Sequence, residues 1–355
     1  MSGVRDFVFQ VAMPRVVFGA GALQHVAREV DALGASRVLV LSTPGQRALG
    51  ERVAALLGGR AAGLFARAEM HVPVEVANAA REAALALGAD CAVAIGGGST
   101  TGLGKAIALQ TALPVIAIPT TYAGSEMTTM YGLTDAGSKT TGRDPRVLPR
   151  CVIYDPELSA GLPFATTVVS AMNAIAHAAE GLYAPDANPV VDLLAEEGIR
   201  TTASALPRLR HDARDLDARG DALIGAWLCG TVMGSITVGL HHKLCHTLGG
   251  TFGLPHAEVH SVVLPHALAY NAPAAPQAMT RIARALGTPT APGGLFDLAA
   301  RHGAPLALKS IGMQAPDLDR AADLAVKMPY PNPRPLERDK VRELLEFAFE
   351  GRRPE

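Results

Sequence analysis

Cysteine is scarce in this 355-residue chain, and the four present (Cys91, Cys151, Cys229 and Cys245) stand far apart with no CxxC pair. That spacing argues against a disulfide framework and for reduced thiols packed in apolar surroundings. Aromatic residues are few, at 5%, while Ala, Val and Leu are plentiful, which suits helices packed on a buried parallel sheet. Neither sign of charge dominates. Lys and Arg number 32 against 33 Asp and Glu, a net charge of −1, so no global field exists to hold a nucleic acid or an anionic membrane. No apolar run approaches the ~18 residues of a membrane span, and Met1–Gln10 has no basic segment leading into an apolar one. The expectation is a soluble cytoplasmic protein, long enough for two packed domains.

Short β-branched runs alternate with helical patterns through the first half. Arg37–Ser42, Asp90–Ile95 and Pro114–Pro119 read as buried parallel strands. Gly21–Leu33, Gly45–Leu57 and Val74–Leu87 carry apolar residues at spacings of three and four, as helices crossing over a sheet do. After Val152–Pro156 the strand pattern stops and the chain reads as helices punctuated by Gly and Pro. This predicts an open, mainly parallel α/β domain over residues 1–160 and an all-α domain over 161–355. Asp186–Pro189 reads as a loop before a helix, and Thr288–Gly294 as a short surface connection.

The strand at 90–95 runs into Gly96-Gly97-Gly98-Ser99, with Lys105 on the helix that follows. Glycines let a ligand approach the backbone, and the free N–H groups at a helix start favour a pyrophosphate. A Gly run after a strand also serves as a plain tight turn, and this one is not the GxGxxG fingerprint. Thr120, Thr121 and Ser125, after the next strand, would line the same carboxyl-end crevice, and Ser42 ends an earlier strand at that edge. These residues form the candidate NAD(P)-binding set of the first domain.

A second constellation lies in the helical half. Asn173 and His177 share a helix face at i, i+4, as do His242 and His246, and His256 opens the next helix. Three histidines and an oxygen donor would hold a catalytic divalent metal, but an amide offers that ion only a dipole where a carboxylate offers full charge.

Taken together, Phe18-Gly-Ala-Gly21, the GGGS turn, Pro119–Glu126, Asp155-Pro156, the His242/His246/His256 spacing and Leu264-Pro265-His266 resemble, in order and over nearly the whole chain, the iron-containing alcohol dehydrogenase superfamily. That superfamily shares its two-domain plan with glycerol dehydrogenases and dehydroquinate synthases. The resemblance implies that Asn173, His177, His242 and His256 occupy metal-ligand positions, that His246 lies close to the nicotinamide, and that the enzyme is a dimer, with Phe7–Ala12 as a pairing strand. Gly102 in place of Asp, the shortened Pro119–Glu126 loop, Asn173 in place of Asp and the His241-His242-Lys243 run are departures from the metal-dependent members. Each is similar to the maleylacetate reductases, which reduce maleylacetate to 3-oxoadipate with NADH or NADPH in aromatic-ring degradation. The implied catalytic set is His177, His242, His246, His256 and Asn173, with Tyr122 as a hydrogen-bond donor and Lys243 for a substrate carboxylate; loop packing and a solvated helix face are the plainer alternatives for those two. A metal-free site is the expectation, against a metal (Fe or Zn)-dependent alcohol or glycerol dehydrogenase and against a nucleotide-binding protein that has lost its chemistry. The expected partners are a small dicarboxylate substrate and a second copy of the chain, with no nucleic acid and no membrane.

Overall fold

The computed structural model describes residues 7–135 and 138–355, so the first six residues of the Met1–Gln10 segment lie outside the described residues. Among the described residues there are eight strands: β1 (Arg15–Phe18), β2 (Val38–Leu41), β3 (Ala61–Phe65), β4 (Cys91–Gly96), β5 (Val115–Pro119), β6 (Met130–Asp135), β7 (Ser138–Arg143) and β8 (Cys151–Tyr154). Six of them form a sheet in the order β1-β8-β5-β4-β2-β3, every pair parallel, while β6 and β7 form a separate antiparallel hairpin. The expected parallel α/β fold is present.

Burial explains which runs become central strands. All residues of β2, β4, β5 and β8 are buried, so their near-continuous apolar sequences have helices or strands on every side. Alternate residues face opposite layers. Val38, Val40, Cys91, Val93 and Ile95 pack with α1 (Val26–Ala32) and α2 (Arg47–Leu57). Leu39, Leu41, Ala92 and Ala94 pack with α3 (Val74–Ala86) and α4 (Gly98–Thr111). The small Ala92 and Ala94 let α4 lie close: a Cβ on Gly104 would stand 3.1 Å from Val115 Cγ1 and 3.4 Å from Ala94 Cβ. The chain steps from β2 outward to β3, then back across β2 to β4, so the direction of winding reverses between β2 and β4. A crevice outside the strand ends is expected at such a reversal.

Asp155 fastens the ends of β1 and β8. Its buried carboxylate accepts from Gly21 N at 3.1 Å and Leu23 N at 3.0 Å, and also caps Glu157 N. Thus Phe18–Gly21 and Asp155-Pro156, far apart in sequence, make one turn.

The helices beyond β8 are α5 (Pro156–Ser159), α6 (Phe164–Gly181), α7 (Pro189–His211), α8 (Leu216–Ser235), α9 (Leu240–Phe252), α10 (His256–Asn271), α11 (Pro276–Leu286), α12 (Ala291–His302), α13 (Asp317–Val326) and α14 (Arg338–Glu350). Leu240, Leu244 and Leu248 of α9, Val259 and Val263 of α10, and Val341 and Leu345 of α14 share one core. No single described helix is long and apolar enough to cross a membrane.

Compact units divide the chain as 13–167 with 208–223, and 168–207 with 224–355 and the N-terminal residues to Ala12. One local expectation is corrected. Residues 291–294 of the supposed Thr288–Gly294 connection are already helical, because Gly293 and Gly294 leave room for Arg353 and Thr288, which a Cβ would meet at 2.6 and 2.2 Å. Phe7–Ala12 forms no strand within the chain; Phe7 and Val8 are exposed.

Candidate active site

At the carboxyl ends of the neighbouring strands β2, β4 and β5, the sheet brings together Ser42, Gly96–Ser99 and Thr120–Ser125. Gly96 sits at φ 151°, and a Cβ there would come within 2.4 Å of Thr100 Oγ1 and 2.7 Å of Gln46 Oε1. A Cβ on Gly97 would meet the Thr121 side chain at 3.1 Å. Gly98 is exposed, and the N–H groups of Gly98 and Ser99 come before the first bonds of α4, which run from Thr100 N and Thr101 N to Gly97 O at 3.1 Å, so these two lack intrahelical acceptors. This cradle fits a pyrophosphate. Ser42 and Thr120 are buried, and Thr120 Oγ1 accepts from Gln46 Nε2 at 2.9 Å, so these two shape the edge from beneath. Gln46 went unnoticed in the sequence.

The loop after β5 is held from inside. Lys105 of α4 is fully buried, and its ammonium donates to Ser125 O (2.5 Å), Thr128 O (2.8 Å), Thr128 Oγ1 (3.0 Å) and Met130 O (2.8 Å). Burial draws its pKa down to about 7, with nearby Glu126 pulling the other way. Burial raises the Glu126 carboxyl in turn, although Tyr154 donates to it at 2.8 Å. Tyr122 is enclosed in the same unit: its hydroxyl accepts from the fully buried Arg219 at 2.9 Å, and Arg219 also donates to Thr167 Oγ1, Leu162 O and Ala213 O. The geometry therefore turns Tyr122 from a substrate donor into an anchor of the loop.

In the helical unit, α6, α9 and α10 bring the histidines together. Asn173, His177 and His242 are nearly buried, whereas Lys243, His246 and His256 are half-buried. His177 Nδ1 lies 2.9 Å from His242 Nε2 with the rings stacked at 5.1 Å, and His246 lies edge-on to His242 at 6.3 Å. Glu180, one turn beyond His177 and fully buried, bonds His242 Nδ1 through one oxygen and accepts from His241 N at 2.9 Å through the other. A carboxylate only accepts, so His242 carries its proton on Nδ1 and presents a lone pair at Nε2. His177 must then donate from Nδ1.

Within this cluster, Glu180 and His260 are the residues that sequence reasoning missed. His260 is buried with its ring 4.5 Å from His256, 4.8 Å from His241 and 5.2 Å from His242. Burial, followed by the neighbouring imidazoles, depresses both His241 and His260 far below the ordinary histidine range. A spacing signal existed for each: Glu180 follows His177 by three, and His260 follows His256 by four.

Family models match both halves of the chain, iron-containing alcohol dehydrogenase over residues 14–156 and the C-terminal part of the same family over residues 167–349. The chain belongs to the iron-containing alcohol dehydrogenase family. It is an oxidoreductase, and membership implies a nicotinamide cofactor. A maleylacetate reductase of Burkholderia cepacia is 66% identical over 98% of this chain and 99% of its own length. Crystal structures of maleylacetate reductases from Rhizobium sp. strain MTP-10005 and Agrobacterium tumefaciens each match with a TM-score of 0.95 at 54% identity, over 99% of this chain and 100% of theirs.

The family's name implies a metal, and the donor set does not suit one. Asn173 brings an uncharged amide. The lone pair of His242 Nε2 faces the His177 Nδ1 proton, so those two rings bond each other where an ion would need both. Gly102 is a second departure with a structural consequence: a Cβ there would lie 2.7 Å from Val72 Cγ2, so an Asp at this position requires the Val72 side chain to shift.

Proposed function

We propose that this protein reduces the carbon–carbon double bond of maleylacetate to give 3-oxoadipate, using NADH or NADPH and a histidine network in place of a metal. The names of its relatives support the substrate. The observation that carries the mechanism is the chain of contacts Glu180–His242–His177 beside Asn173.

The bound nicotinamide supplies the hydride. Hydride addition at the alkene carbon β to the ketone makes an enolate, which needs positive charge near its oxygen and a proton on the adjacent carbon. His177 enters the step as an imidazolium: its Nδ1 proton stays in the bond to His242, its Nε2 proton goes to the adjacent carbon, and solvent returns one proton afterwards. Glu180 fixes His242 in the tautomer that accepts from His177, as a carboxylate does for an imidazole in hydrolytic triads. His246, His256 and Lys243, half-buried, are the groups suited to the two substrate carboxylates. Gly96–Ser99 and the start of α4 hold the pyrophosphate, while Thr121 and Ser125 border it. A simple ketone would gain more from a Lewis acid on its oxygen than from this arrangement.

The same reading takes the enzyme as a cytoplasmic homodimer, supported by Phe7 and Val8 left exposed on an extended segment that a second copy would cover. A monomer mass in sedimentation velocity would contradict that part. The main test is NADH and NADPH oxidation by the pure enzyme with maleylacetate against a panel of aldehydes and simple ketones. The expected kcat/KM for maleylacetate exceeds every panel member by on the order of 1000-fold; a saturated carbonyl turned over as well as the enone overturns the proposal.

A further inference from the structure

Behind the histidines that the mechanism uses lies a second group that it does not. His241 and Cys245, one turn apart on α9, meet His260 of α10, and all three are completely buried. One donor atom from each falls within 4.8 Å of the other two. His241 Nε2 is 2.8 Å from His260 Nδ1, and Cys245 Sγ is 3.6 Å from His241 Nε2. Two nitrogens and a sulfur set in a plane about one ion, at ordinary metal–ligand lengths, stand about 3.5 Å (N to N) and about 3.8 Å (N to S) apart. The Cys245–His241 distance is close to that, and the two nitrogens need to open by about 0.7 Å.

We propose that His241, Cys245 and His260 form a binding site for a soft monovalent d10 cation, copper(I), distinct from the Asn173, His177, His242 and His256 positions. Donor chemistry selects the ion, since a thiolate with imidazoles prefers copper(I) or zinc among cellular metals. Charge and coordination number choose between them. No fourth His, Cys, Asp or Glu joins this group among the described residues, and all three side chains are shut off from solvent. Copper(I) accepts three ligands, and with one thiolate and two neutral imidazoles the site carries no net charge; zinc would leave one positive charge buried and a fourth position empty. Binding is a simple exchange: the Cys245 proton leaves to solvent, the Cu–S bond forms, and no electron moves. The bound ion would also clamp His260 and His241 against His242 and His256, so loading the site inhibits turnover.

The test is anaerobic titration of the purified enzyme with copper(I) against a chromophoric chelator, together with copper X-ray absorption. The expected result is one equivalent bound, with one sulfur and two nitrogens around copper. Cys245→Ser, checked for folding by thermal unfolding, should weaken binding at least 100-fold, while Asn173→Ala and Cys229→Ser bind as the unaltered protein does. Unchanged affinity in Cys245→Ser, or a copper shell without sulfur, overturns the proposal. The X-ray absorption result on the unaltered protein stands even if a variant fails to fold.

Discussion

Glu180 sets the direction of every proton in the His242–His177 pair, because a carboxylate cannot donate. Glu180→Gln places an amide N–H within reach of His242 Nδ1 and permits the reversed tautomer, in which His177 Nδ1 accepts. The expected outcome is a fall in kcat of ~100-fold or more with KM changed little, as for the comparable amide change in a triad. Glu180→Asp should recover part of it. A purely structural Glu180 would instead give lost folded protein and unchanged kcat in the remainder, which active-site titration with steady-state kinetics separates. Asn173 permits the complementary experiment. Asn173→Asp returns a charge to the old ligand position, so elemental analysis should show more bound iron or zinc, while maleylacetate reduction should not improve; higher activity in the metal-loaded variant would contradict the assignment.

At the level of elements, the loop after β5 depends on α4. Lys105 donates to three backbone carbonyls with one buried ammonium, so Lys105→Met takes a donor from each, Ser125 O keeping only Thr128 N and Oγ1, and loosens the 120–128 segment. We expect the KM for the nicotinamide cofactor to rise ~10-fold, with a smaller change in KM for substrate; equal effects on both would place Lys105 in general stability alone. The strands at 38–41, 91–96 and 115–119 were legible because full burial demands unbroken apolar residues. The strand at 61–65 was not: it is half-buried at the sheet edge and contains Gly63, where a Cβ would meet Leu87 Cδ1 at 2.6 Å. The 130–143 hairpin lies outside the main sheet, with one bridge from Thr134 to Pro73, and carries polar residues, so it shows no apolar alternation. The histidine positions could be read from helical spacing on α6, α9 and α10. Their connections could not, since the role of Glu180 appears only when α9 packs beside α6, and the enclosure of Tyr122 only when Arg219 arrives from a distant helix.

For the molecule as a whole, buried neutral histidines couple stability to pH. His266 is nearly buried, and loss of solvent pushes its pKa down to about 4, against an unfolded value near 6.5. The unfolded chain takes up this proton as pH falls below 6.5, whereas the folded chain does so only near 4. Stability is therefore complete above 6.5 and declines through the window to 4, by up to about 3 kcal/mol from this residue. His241 and His260 act in the same direction. Urea unfolding at pH 7.5, 6 and 5 should show that decline, and a flat profile would mean these side chains are hydrated in the folded state. The central claim, however, concerns what replaces the metal. It is tested most directly by maleylacetate reduction before and after exhaustive chelation, with iron and zinc measured in the same samples. Full activity at far less than one metal ion per chain is the predicted result. Activity lost on chelation and restored by iron or zinc would contradict it.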